Sequence, residues 1–464
     1  MVYGRLGAII NLLASGLVSR RQFLQYSAAG VTTATMRAGS NDSAAADYAI
    51  TIAPYTLEVS PRRLIRTIAY NAQVPGPLLR FQEGRPVTID VTNQTSNPEV
   101  VHWHGLFLPS EVDGAMEEGT PPISPGGSTR YTFTPRPAGF RWYHTHTFAG
   151  RNLNRGQYTG QHGFIFIEPR NNPARYDAEV FLALHDWKGQ LLASDDGSMN
   201  PNYDVSTING RVLGFGEPLR VKAGQRVLLH MLNSSASDCH WIALAGHQFE
   251  VIALDGNPVP NPCTVPMLRL APAERVSAIV RFTNPGIWVL GEVRKHIRTA
   301  GMGILIEYAG QTGEPQWQQP EALSWDYQHF ESTQSSSSDE RRATEIPLVF
   351  KSKFTGHGDL DHWTINGKSF PHTETVNLKQ GERYRLQFKN ESTDHHPMHL
   401  HRHVFELRNL SGRHTRGIVK DTVLVKSKAQ TDVEFTANDP GSTLLHCHQQ
   451  DHMDMGFMML FRYV

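Results

Sequence analysis

Leu79 to Asn93 reads LRFQEGRPVTIDVTN, and its pattern returns twice, as LRVKAGQRVLLHMLN from Leu219 to Asn233 and VNLKQGERYRLQFKN from Val376 to Asn390. In each stretch a glycine (Gly84, Gly224, Gly381) stands nine positions ahead of the asparagine. The residues between alternate apolar and polar, the period of a half-buried strand whose successive side chains point to opposite faces. A second repeated mark, Gly139, Gly286 and Gly441 in PAG or PG contexts, precedes another apolar strand near the end of each unit. One pattern met three times predicts three tandem all-β sandwich domains. They are expected over residues 47–169, 170–310 and 345–464. Residues 311–344, rich in Gln and Ser and including Ser335 to Ser338, read as a linker.

The repeat supplies a frame on which the histidines can be placed. Of 23 in the chain, many are bunched in HWHG, HTH, HHPMHLHRH and HCHQQDH. The ninth and eleventh residues after the asparagine are His102 and His104 in the first unit and His399 and His401 in the third. The fifth and seventh after the late glycine are His144 and His146, and His446 and His448. In the middle unit the same counts reach Ile242, Leu244, Gly291 and Val293, so no ligands are expected there. Residues two apart on a strand share a face, so each H-x-H offers two imidazoles side by side. Two matching sets of four are too many for one ion, and predict a polynuclear site where the first and third units meet.

Cys447 lies between His446 and His448, so its thiolate points to the opposite face from theirs. His396 and His452 are spaced to join it. Two imidazoles and a thiolate form the trigonal set of a blue copper centre. Zinc accepts the same atoms, but the place of a fourth ligand holds Phe457. An electron arriving at Cys447 then has a covalent path into either flanking histidine, which connects a one-electron donor to a multi-electron acceptor such as dioxygen.

Composition narrows the rest. Lys plus Arg and Asp plus Glu number 44 each, so the charge balance does not point to nucleic acid or an anionic membrane as a partner. No segment after the leader has the length of a membrane span. Residues 1–46 read as an export signal, with Ser19-Arg20-Arg21-Gln22-Phe23-Leu24, an apolar run to about Met36 and a small-residue site at Ala44-Ala45-Ala46. That implies the twin-arginine machinery as a partner and a periplasmic or extracellular location. Cys239 and Cys263 either pair there or stay free, and spacing does not decide between the two.

HWHG, HTH, HPMHLH and HCHQQDHMDMGF, in this order, resemble the copper-binding motifs of the multicopper oxidases, over the whole chain after the leader. The resemblance implies three cupredoxin-like Greek-key sandwiches and four copper ions. His396, Cys447 and His452 match the type 1 ligands, and His102 and His399 the type 2 ligands. His104, His144, His146, His401, His446 and His448 match the type 3 pair. Asp113 matches an acid that assists proton delivery to dioxygen. Where many bacterial members carry a second acid after the type 1 histidine, this chain has Met453, with Asp451 and Asp454 nearby. Phe457 stands at the axial position, where a methionine would lower the type 1 potential; Met458 takes its place if the loop shifts by one.

The resemblance implies a laccase-like oxidase of phenols and aromatic amines, with an exposed edge of His452 receiving the electron. The alternative is a metallo-oxidase taking cuprous or ferrous ions, suggested by Met398, Met453, Met455, Met458 and Met459. The absence of a long methionine-rich insertion favours the first. A non-enzymatic relative should have lost ligands, and none is missing; a copper nitrite reductase has two domains per chain.

Overall fold

The computed structural model describes residues 45–171, 175–193, 199–322, 325–333, 343–353 and 362–464. The expected export motif and the Ser335 to Ser338 run lie outside these residues. Among them, every large element is a strand, and the fold is three tandem cupredoxin-like sandwiches. The first pairs a four-stranded sheet (Arg63–Tyr70, Tyr48–Ser60, Val87–Asn93, Ser128–Phe133) with another (Gly76–Gln82, His162–Glu168, Gly139–Thr145, Val101–His102). Val87–Asn93 is the strand of the opening motif, and its burial alternates residue by residue as the period of two requires. In the second and third sandwiches Arg226–Asn233 and Arg383–Asn390 occupy the same central place, each beside a parallel and an antiparallel neighbour.

The asparagine that ends each repeat has a physical reason to be there. Asn93 Nδ2 donates to the carbonyls of Asn97 and Ile123, while its Oδ1 accepts from Thr95 N. Asn233 does the same with Asp238, Leu270 and Ser235, and Asn390 with Asp394, Lys426 and Ser392. One buried amide thus satisfies the backbone of the loop that leads into each histidine-bearing edge.

The strand register shows which positions of the three sandwiches correspond. Val101 and His102 face Thr145 and His144; Ile242 and Ala243 face Glu292 and Gly291; Met398 and His399 face Cys447 and His446. The equivalents of His399 and His401 in the middle module are therefore Ala243 and Ala245, one residue beyond the Ile242 and Leu244 reached by counting. The loop between Asn233 and His240 is one residue longer than that between Asn390 and His396. The conclusion that the middle module lacks the paired histidines is unchanged.

The same register puts His240 in the place of His396 and Glu292 in that of Cys447. There His240 is held between Glu292 at 3.1 Å and Asp186 at 2.8 Å, all buried. In the first module Glu99 and Thr145 fill the place, with oxygen atoms 3.5 Å apart. An ion pair or a polar pair thus occupies what is a sulfur and nitrogen site in the third module.

Part of the expected linker belongs to the fold. Trp325, Tyr327 and Phe330 are buried around the 3-10 turn Tyr327–Phe330, which packs on the core shared by the second and third modules. A short aromatic turn has no periodicity for sequence reasoning to detect.

Candidate metal centre

Each histidine pair straddles the end of a strand. His102 ends Val101–His102, and Gly105, at φ 83°, turns the chain so that His104 faces the same seam. His144 and His446 lie on Gly139–Thr145 and Ser442–Cys447, with His146 and His448 just beyond. His399 lies on His396–Leu400, with His401 just past its end. All eight side chains from the first and third modules meet in one place and are at most 2% exposed.

They meet by interleaving. The His102 ring stacks on His401 at 4.0 Å, and His104 stacks on His399 at 3.7 Å. His144 lies 5.1 Å from His448, and His146 lies 5.1 Å from His446. Exchanging each residue for its repeat equivalent maps every one of these contacts onto its partner. The seam is pseudo-twofold.

Hydrogen bonds commit one nitrogen of most rings and leave the other free. The Nδ1 atoms of His102, His144, His399 and His446 face the carbonyls of Asp113, Thr145, Asp421 and Cys447 at 2.8 to 2.9 Å. His401 Nδ1 faces Asp113 Oδ2 at 2.9 Å, and His104 faces Asp421 Oδ1 through Nε2 at 3.1 Å. The remaining nitrogens converge in sets that could hold metal ions: His104, His144 and His448; His146, His401 and His446; and His102 with His399 and His104. His102 Nε2, His399 Nε2 and both nitrogens of His146 and His448 are buried with no hydrogen-bond partner. Orphaned buried nitrogens are costly unless a cation takes their lone pairs.

Protonation fits the same use. Burial, reinforced by neighbouring imidazoles, holds His104, His144, His401, His446 and His448 well below the usual histidine range. Burial also holds His146 and His399 at about 3. Neutral imidazole is the form that binds metal.

Cys447, His396 and His452 form a separate buried set. Cys447 Sγ is 3.8 Å from His396 Nδ1 and 3.5 Å from His452 Nδ1, and those nitrogens are 3.1 Å apart. Ligand atoms about 2.0–2.3 Å from one ion in a trigonal set lie about 3.5 Å from each other, so one ion fits. Ser392 Oγ holds His396 Nε2 at 2.8 Å and turns Nδ1 inward. The Phe457 ring is 4.8 Å from His396 and fully buried, while Met458 packs with Ala115, Leu444 and Met453. A soft sulfur with two imidazoles and an aromatic ring on the remaining side suits copper.

Three expectations about this region change or close. His452 is 3% exposed, with Trp363 packed on it at 4.2 Å, so it presents no open edge. Met398, Met453, Met458 and Met459 are buried in apolar packing. Cys239 and Cys263 are both free.

Two acids escaped sequence reasoning. Asp421 is the pseudo-twofold counterpart of Asp113: each gives its carbonyl to a histidine of its own module and its carboxylate to one across the seam. A single aspartate ahead of the strand Thr422–Val425 carries no local motif. Glu118, in the short turn Met116–Glu118, sits 3.3 Å from His401 Nδ1 and accepts from Leu444 N. Burial and the adjacent Asp113 push its carboxyl well above the usual range.

Three family profiles, each described as multicopper oxidase, match residues 54–172, 179–303 and 344–464. The multicopper oxidase MmcO of Mycobacterium tuberculosis is 28% identical over 506 aligned positions, covering 98% of this chain and 96% of the relative. Fet3p, described as a multicopper oxidase that functions in iron import, superposes with a TM-score of 0.79 at 19% identity over 90% of each chain. The laccase from Botrytis aclada superposes with a TM-score of 0.73 at 23% identity, over 89% of this chain and 87% of its own. At such identities the two superpositions speak for the fold.

Proposed function

The chain belongs to the multicopper oxidase family, and from that premise we propose that it couples one-electron oxidation of phenols or aromatic amines to the four-electron reduction of dioxygen to water. The observation that carries this reading is the division of eight buried imidazoles at one seam, next to a cysteine set between two of them. His396, Cys447 and His452 would hold type 1 copper, and His102 and His399 type 2 copper. His104, His144 and His448 would hold one type 3 ion, and His146, His401 and His446 the other. Bound there, four copper ions take electrons singly from the donor and supply all four to dioxygen.

The chain's own part is positioning, conduction and proton supply. Cys447 joins the two sites covalently, because His446 and His448 are its neighbours in sequence and each belongs to a different type 3 set. Asp113 faces His401 through Oδ2, and its Oδ1 has no hydrogen-bond partner, so that oxygen is free to exchange a proton with dioxygen-derived oxygen. Four protons must arrive for each dioxygen reduced. The precursor is proposed to leave the cytoplasm by the twin-arginine route.

Phenol oxidation is supported by the burial of Met398, Met453, Met458 and Met459, which leaves only the half-buried Met455 of that group within reach of a soft metal ion. A second reading, oxidation of ferrous or cuprous ions, is favoured by Asp451, whose Oδ2 lies 3.9 Å from His452 Nε2 and whose Oδ1 is buried without a hydrogen-bond partner. Steady-state oxygen uptake with a phenol, ferrous ion and cuprous ion separates the two. Copper analysis and an absorption spectrum test their shared basis, with about four ions per chain and a thiolate-to-copper charge-transfer band expected.

A further inference from the structure

Asp113 and Asp421 are equivalent by pseudo-symmetry, yet their surroundings differ completely. Asp113 faces the acid Glu118 and leaves Oδ1 unpartnered. Asp421 is gripped by the middle module. Arg275 Nη1 donates to Asp421 Oδ1 at 2.7 Å and Nη2 to Oδ2 at 2.5 Å, a two-pronged guanidinium bond to a carboxylate. Asp255 Oδ2 accepts from the main-chain N–H of both Asp421 and Thr422, at 3.3 and 3.1 Å. Asp255 in turn holds Arg275 by its main-chain N–H at 3.0 Å and Lys420 Nζ at 2.9 Å.

These groups lie in the dry interior: Arg275, Asp255 and Asp421 are fully buried and Lys420 is 1% exposed. The first module joins through Arg141, which donates to the Asp255 carbonyl and to Asn257 Oδ1 and lies 3.6 Å from Asp421 Oδ2. Two glycines make the approach possible. A Cβ on Gly105 would stand 2.7 Å from Asp421 Oδ2 and 3.0 Å from Arg275, and a Cβ on Gly139 would stand 2.0 Å from the Gly256 carbonyl.

What residue 421 hands on is the placement of two histidines. Its carboxylate meets His104 Nε2, so that ring turns Nδ1 to its set, unlike the Nε2 presented by His102, His144, His399, His401 and His446. Its carbonyl meets His399 Nδ1 and leaves Nε2 free. We propose that the ligand-free middle module is the positioning frame of the cluster: Arg275 and Asp255 fix residue 421, and through it one histidine from each ligand-bearing module. Arg275 is thus a positioning residue, two hydrogen bonds in relay from His104. The inference rests on His104 and His399 being copper ligands.

The test compares Arg275→Met, Arg275→Lys and a control, His240→Asn, which breaks a buried ion pair of the same module without touching residue 421. Three quantities are read: copper retained per chain on dialysis against a chelator, the tautomer of His104 in copper-free protein by 15N NMR, and the thermal midpoint. Loss of an outer hydrogen-bond partner typically weakens metal retention 10- to 100-fold. Arg275→Met is expected to show a loss of about that size at the histidine cluster, with the charge-transfer band of Cys447 intact and the Nε2–H tautomer of His104 no longer dominant. Arg275→Lys should recover part of both. His240→Asn should lower the midpoint and leave copper and tautomer unchanged. Wild-type retention and tautomer in folded Arg275→Met, or equal copper loss in His240→Asn, would overturn the proposal. If Arg275→Met does not fold, Arg275→Lys decides by the same two readouts. If the wild-type seam takes up no copper, the ligand reading fails, and the tautomer comparison still decides the role of Arg275.

Discussion

Replacing Asp113 by asparagine separates proton supply from positioning, because the two carboxylate oxygens have different tasks. Oδ2 accepts from His401 Nδ1 at 2.9 Å, and an amide oxygen can do the same without moving the ring. Oδ1 is buried without a partner, and in asparagine that position carries an NH2 that does not exchange a proton at ordinary pH. A positioned acid or base contributes about 10²–10⁴-fold, so at the low end Asp113→Asn raises the barrier to dioxygen reduction by about 2.7 kcal/mol. The assay is rapid mixing of fully reduced, copper-replete protein with dioxygen, following reoxidation across pH. About 100-fold slower reoxidation is expected, with copper content and the rate of reduction by the donor unchanged. Asp113→Ala should differ in kind: the buried His401 N–H loses its nearer acceptor and keeps only Glu118 at 3.3 Å, which weakens its placement and copper retention. Copper-replete Asp113→Asn reoxidising within about threefold of wild type would refute the role given to Oδ1.

Phe457→Met places a thioether beside the Cys447 set, and a redox titration should give a lower type 1 potential, by about 60 mV if the oxidised form gains tenfold. His240→Asn leaves Asp186 buried without its cation, while Glu292 keeps Arg294 at 3.0 Å, and should lower unfolding free energy by about 3 kcal/mol in denaturant titration. Burial lowers the pKa of His240, but Asp186 and Glu292 outweigh it and hold the ring charged, at about 10. The raised value means that its stabilisation is complete below about pH 6.5 and is lost as pH climbs toward 10, so the wild-type midpoint should fall over that window more than the variant's. Copper removal should lower the thermal midpoint, since each site stabilises the fold by about 2.7 kcal/mol at a free copper concentration 100 times its Kd.

The local pattern was sufficient for whatever depends on strand periodicity. Alternation in Val87–Asn93 and its two repeats dictates a strand with one face inward, and spacing of two puts His102 with His104 and His446 with His448 on shared faces. Placing Cys447 between two histidines likewise needs only the alternation of a strand. Three repeats with paired histidines in the outer two already imply a seam between the ends of the chain.

Distance in three dimensions decided the remainder. Counting missed the one-residue insertion before His240, because only cross-strand pairing shows that Glu292 and Cys447 occupy one place. The aromatic turn at Tyr327–Phe330 and the burial of His452 depend on what packs over them, which no local period encodes. The partners of Asp421 come from residues 255 and 275 in a different module, and a buried carboxylate owes its position and charge to whichever cations the fold brings beside it. Sequence therefore determined the candidate ligands and their faces, whereas tertiary structure decided which nitrogen of each ring is free, because that depends on the hydrogen-bond acceptor on its other side.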